Sequence, residues 1–233
     1  HRVGARREPA VAAVIGAILP LAVGIAISPI PIVAAILMLL SPKAKGASVG
    51  FLVGWIVGIA LATTVFTLLS AALPEGDADA SRPVTAIVQI VLAVALLLLA
   101  LRQWRGRPAE GEEPDLPKWM GAIDQMNAGR AIGLGVLLSA VNPKNLLLAA
   151  GGGIEIGGAG LDVGSVVLSI VVFTVIAGCS VAVPVVAYLV ASDAMTAPLG
   201  RLREWLVQHN ASIMAVLLLV LAVVLLGKGL GNF

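Results

Sequence analysis

The chain has 233 residues, of which 59% are hydrophobic and 12% charged, with a mean hydropathy of +1.04; that is too little polar surface for a soluble domain. The net charge of +2 does not point to nucleic acid, because the basic residues fall in loops between apolar runs, where membrane topology accounts for them. A single cysteine, Cys179, lies inside an apolar run, which excludes an internal disulfide or a Cys-pair metal site and reads as a small packing residue.

In chain order, six segments are long enough to span a bilayer at about 20 residues each: roughly 10–40, 47–72, 84–101, 131–156, 163–191 and 211–231. Arg2, Arg6 and Arg7 precede the first run, which extends well past the core of a secretion signal and therefore reads as a span. The His1-Arg2 start reads as truncated or engineered. Ser28-Pro29-Ile30-Pro31 interrupts this run, predicting a broken helix of about 10–27 plus 31–40. In the second segment Gly50, Gly54 and Gly58 recur at four-residue spacing on one face, a signal for close helix packing.

The stretch 105–117, with Glu110, Glu112, Glu113, Asp115 and three prolines, reads as a solvated linker. After it, Trp119, Met120, Ile123 and Met126 form a helical stripe expected to lie on the membrane surface. Leu199, Leu202 and Leu206, alternating with Arg201, Arg203 and Glu204, predict a second surface helix over 198–207. Loops at 41–46, 102–130 and 192–210 carry Lys43, Lys45, Arg102, Arg105, Arg107, Lys118, Arg130, Arg201 and Arg203, whereas the opposite loops carry Arg82. The positive-inside rule makes the first set cytoplasmic and places both termini outside, with Trp104, Trp119 and Trp205 as interface anchors.

The fourth segment holds the most expensive residue. Lys144 is the only charged residue between Arg130 and Glu155, and it lies in the helix-breaking Asn142-Pro143-Lys144-Asn145. A lysine near the centre of a spanning helix costs about 2.5–3.5 kcal/mol on insertion scales, and Lys144 lies about 21 Å of helix from Arg130, beyond the reach of snorkelling. Lys144 therefore reads as a ligand or ion site, the alternative being a structural lysine bonded to freed carbonyls. Asn142 and Asn145 add hydrogen bonds to a ligand or simply cap the break. Glu155 reads as a helix-end carboxylate, with a coupling role as the alternative.

Ser139, Thr63, Thr64 and Ser180 are expected to bond between helices, and Asp162 to cap the fifth segment. No span contains histidine, so no metal or cofactor is expected, and without a nucleotide-binding motif there is no sign of an enzyme.

Shifting residues 28–31 by 114 positions places Ser28-Pro29 on Asn142-Pro143. Two broken segments in two three-span halves predict an inverted repeat with its site at the breaks, lined by Ser28, Pro29, Pro31, Asn142, Pro143, Lys144 and Asn145. The expected architecture is one all-α integral membrane domain over 1–233, with halves at 10–102 and 131–231 and a cytoplasmic linker at 103–130.

Leu138-Ser139-Ala140-Val141-Asn142-Pro143-Lys144-Asn145-Leu146, with Leu101-Arg102-Gln103-Trp104-Arg105, Leu116-Pro117-Lys118-Trp119-Met120 and Gly227-Lys228-Gly229-Leu230, resembles the GAP or Sap family. These are glycopeptidolipid- and sulfolipid-addressing proteins of actinobacteria. The resemblance covers about 15–230 and extends to the wider LysE-type exporter superfamily, whose Asn-Pro-Lys motif Asn142, Pro143 and Lys144 match. Ser28-Pro29-Ile30-Pro31 matches the first break loosely, since glycine often separates the prolines there.

The resemblance implies a bacterial inner-membrane exporter or flippase of an amphipathic, anionic envelope lipid or precursor. Two other readings stand beside it: a LysE-type exporter of a small solute such as an amino acid, and a non-transporting scaffold for envelope-lipid biosynthesis. Expected partners are membrane lipids, the substrate, and either a second copy in a homodimer or envelope-biosynthesis machinery.

Overall fold

The computed structural model describes residues 7–72, 78–108 and 118–231. Among the described residues the chain is helical throughout: α1 (Arg7–Ala26), α2 (Pro29–Leu39), α3 (Ala44–Ala71), α4 (Ala78–Arg105), a 3₁₀ helix (Lys118–Gln125), α5 (Ala128–Val136), a π-turn (Leu137–Val141), α6 (Pro143–Gly157), α7 (Val163–Val190) and α8 (Ser192–Gly231). Four of these helices are long and apolar enough to span a membrane, and six spans result if each broken pair counts as one. Their outer faces carry Val53, Val57, Leu61, Val175, Val183 and Val223, all exposed, as a hydrocarbon solvent requires. This is an all-α, multi-pass membrane protein.

Both expected breaks are present. The α1–α2 pair bends by 51° and the α5–α6 pair by 64°. Ser28 and Asn142 are extended N-caps, each followed by proline at the first helical position, where a missing N–H costs nothing. The predicted shift of 114 thus pairs two extended caps that each precede a proline-led helix. The packing follows the same exchange: α3 lies on α5 and α6, α7 lies on α1 and α2, and α4 and α8 pack on each other.

Glycine lets these helices approach. A Cβ on Gly50 would lie 3.1 Å from the Ala128 Cα, and one on Gly54 or Gly58 would run into Ile132 or Ser139. The four-residue glycine spacing is therefore the seam between α3 and the first part of the second broken pair.

Several expectations need correction. The stretch 198–207 is not a separate surface helix but the first part of the 40-residue α8, about 60 Å long and hence longer than the hydrocarbon core of about 30 Å. Nothing between Val207 and Ser212 breaks the helix, and Leu199 and Leu206 are buried against the protein. The stripe after the linker forms a 3₁₀ helix that packs on α2, with Met120 and Ile123 buried rather than facing lipid. Ser139 bonds back to the Gly135 carbonyl at 2.8 Å within its own helix, and Thr63 Oγ1 and Ser180 Oγ have no partner. Cys179 is exposed.

Asp162 caps α7 as expected, accepting from the Gly164 and Ser165 amides at 3.1 and 3.3 Å. Trp104 and Trp205 are exposed, Trp104 beneath the Arg107 guanidinium at 3.9 Å. The 109–117 part of the linker, the N-terminal Arg2 and Arg6, and the Trp119 side chain lie outside the described residues.

Candidate functional site

The geometry of the site begins with two prolines. Pro29 has no N–H, so the carbonyl of Ile25, four residues earlier, loses its helical donor. The Ser28 hydroxyl replaces it, donating to the Ile25 oxygen at 2.7 Å. The helix ends here, which also leaves the Gly24 carbonyl in need of a donor. Lys144 supplies it from the other broken pair: its ammonium donates to the Gly24 oxygen at 2.7 Å and to the Ser28 hydroxyl. Pro31, in the first turn of α2, is buried with Pro29 beside this junction.

Pro143 creates the matching problem in the second half. The chain widens into the π-turn just before it, and the Asn145 side-chain amide donates to the Leu138 carbonyl at 3.0 Å. Asn142 accepts from the Lys144 backbone N–H at 3.0 Å, capping α6. Both asparagines are thus committed in part to the break, while Asn145 Oδ1 is buried without a partner.

Lys144 is 7% exposed, Ser28 4% and Asn145 fully buried. An ammonium has three donors, and two of them are used here. Among the described residues no carboxylate pairs with Lys144, since the ion pair formed there joins Lys228 to Glu155. A buried cation without a counter-charge, beside the N-terminal ends of α2 and α6, is suited to an anionic group. The sequence places Ser28, Pro29, Pro31, Asn142, Pro143, Lys144 and Asn145 at one site, and the structure brings all seven to the two breaks.

Glu155 stands apart, 11 residues further along α6, or about 16 Å at the helical rise. It accepts from Lys228 at 3.2 Å and from the Gln89 amide at 3.3 Å. Neither Lys228 nor Gln89 was legible as a polar partner, since they lie 73 and 66 residues away in sequence.

Sequence reasoning also missed Gly151, Gly152 and Gly153, which thread α6 between three neighbours: Leu21 of α1, Phe173 of α7 and the Phe66–Thr67 backbone of α3. Three successive glycines inside a helix with no turn were the available signal.

At one end of the bundle, an open vestibule of about 690 Å³ is bordered by Lys43, Lys45, Asn127, Tyr188 and Ser192.

The profile of the family described as Sap, sulfolipid-1-addressing protein, matches residues 18–231, which includes both breaks and every residue of the site. No curated protein and no solved structure matches the chain. The chain belongs to the Sap, sulfolipid-1-addressing protein, family.

Proposed function

We propose that this protein is a bacterial inner-membrane transporter, not an enzyme, that exports or flips an amphipathic, anionic envelope lipid or its precursor. The observation that carries the reading is the buried Lys144 ammonium, held by Gly24 and Ser28 with no carboxylate partner among the described residues. A charge removed from water needs compensation, and an anionic headgroup provides it. The lipid class comes from the name of the matching family, and the long apolar outer faces of α3, α4 and α7 offer acyl chains a compatible surface.

In this reading the two broken pairs belong to an inverted repeat, and the site lies between its halves, which rock to expose it alternately. Loop charge supports a cytoplasmic side for the vestibule at Lys43 and Lys45. A headgroup gathered there moves inward to Lys144 and then outward, the coupling coming from a gradient or from a partner machine.

Proteoliposomes containing the purified protein and total envelope lipid test this. Transfer of an anionic lipid to the outer leaflet by wild type, and its loss in Lys144→Gln, is the expected result. Efflux of trapped amino acids without lipid transfer would instead identify a small-solute exporter. No transport by an intact, folded protein would favour a scaffold.

A further inference from the structure

A second, half-buried polar cluster joins α1, α4, α6 and α8. Lys228 of α8 donates to Glu155 of α6 at 3.2 Å and to the Ala17 carbonyl of α1 at 3.2 Å, and Gln89 of α4 donates to the same Glu155 oxygen at 3.3 Å. Each contact lies at the long end of the ordinary hydrogen-bond range. The Lys228 and Glu155 side chains are 31% and 24% exposed, enough for a ligand to reach either one.

The two lysines lie along one line. Lys144 rests on the carbonyl of Gly24 and Lys228 on that of Ala17, seven residues apart on α1. Seven residues are two turns, so both carbonyls face the same side, separated by about 10 Å of rise. Glu155 is 11 residues beyond Lys144 on α6, three turns on and again on the same face. The interface between α1 and α6 therefore carries one cation without a carboxylate partner among the described residues and, farther along, a second cation paired with Glu155 at a partly exposed site.

We infer that Lys228 is a second binding station for the anionic group, two turns of α1 beyond Lys144, and that Glu155 is the resident counter-anion which the substrate displaces there. This rests on the reading of Lys144 as the first anion site. Glu155 keeps Lys228 paired while the station is empty, and the arriving anion takes over the ammonium, leaving Glu155 to Gln89. An alternative in which the pair only braces α6 to α8 predicts that either polarity of the pair serves equally well.

Native mass spectrometry of the full-length protein titrated with phosphatidylglycerol, with phosphatidylcholine as the neutral control, separates these. Wild type is expected to retain one phosphatidylglycerol, lost in Lys144→Gln. Glu155→Gln frees Lys228 and is expected to retain a second one, which disappears again in the Glu155→Gln/Lys228→Gln double variant. The exchanged pair Glu155→Lys/Lys228→Glu keeps an ion pair and should match wild-type thermal stability while losing lipid transfer in proteoliposomes; transfer at the wild-type rate would mean that the pair is only a brace.

If Glu155→Gln binds no additional phosphatidylglycerol while the Lys144-dependent lipid persists, the second station is wrong and the first stands. If wild type holds no phosphatidylglycerol, or holds it regardless of Lys144, the underlying reading fails and the second station with it. Glycerol 1-phosphate displacing the lipid from both stations would show that the shared anionic group is recognised. Failure to displace it from the station at Lys228 would overturn recognition of the anionic group there.

Discussion

The Lys144 side chain completes the hydrogen bonding of a helix that Pro29 has cut short, and among the described residues it has no carboxylate partner. That hydrogen bonding makes Ser28 its most sensitive neighbour. Ser28→Ala removes the donor to the Ile25 carbonyl and one acceptor of Lys144, and a buried carbonyl without a partner costs about 1–3 kcal/mol. A thermal shift in detergent should register that loss, with bound anionic lipid restoring part of it, because the ligand replaces the missing contact to the ammonium. Asn142→Ala removes the cap on α6 and should cost about 1 kcal/mol, read as a lower melting temperature in detergent. Lys144 itself was conspicuous in the sequence as a lone charge beside proline. Its partner was not, since Gly24 lies 120 residues away and offers only a backbone oxygen, which no residue type announces.

Among the elements, α3 and α6 are the ones whose positions glycine sets. Gly54→Ala should be strongly destabilising, since the new methyl meets the Ile132 backbone, and Gly153→Ala likewise, at 2.6 Å from the Phe66 Cβ and 2.8 Å from the Thr67 nitrogen. Overpacking of this kind costs about 1–3 kcal/mol. Gly151→Ala meets only a Leu21 methyl at 3.2 Å, which can rotate away, so its melting temperature should stay close to wild type. A melting series of the three variants checks the order; equal effects would mean that helix propensity rather than close approach governs these positions. The broken helices were readable because proline has a fixed local consequence. The fusion of 198–207 into α8 was not, because an amphipathic stripe is the same whether its apolar residues meet lipid or, as Leu199 and Leu206 do, the protein core.

For the whole molecule, the equivalence of Ser28-Pro29 and Asn142-Pro143 carries the most meaning. Each is an extended cap before a proline-led half-helix, and the Lys144 contacts to Gly24 and Ser28 tie the two breaks together. Membrane class and the location of the breaks follow from hydropathy and proline. The mutual contact of α4 and α8 and the polar cluster at Glu155 depend on long-range pairings that hydropathy does not encode.

The most direct test of the central claim is the lipid content of the protein purified from its native membrane in mild detergent, wild type against Lys144→Gln, by mass spectrometry. Enrichment of one anionic envelope lipid in wild type, reduced at least about tenfold in the folded variant, a difference of about 1.4 kcal/mol in binding, is the predicted result. The same bulk phospholipids in equal amounts in both samples would contradict it.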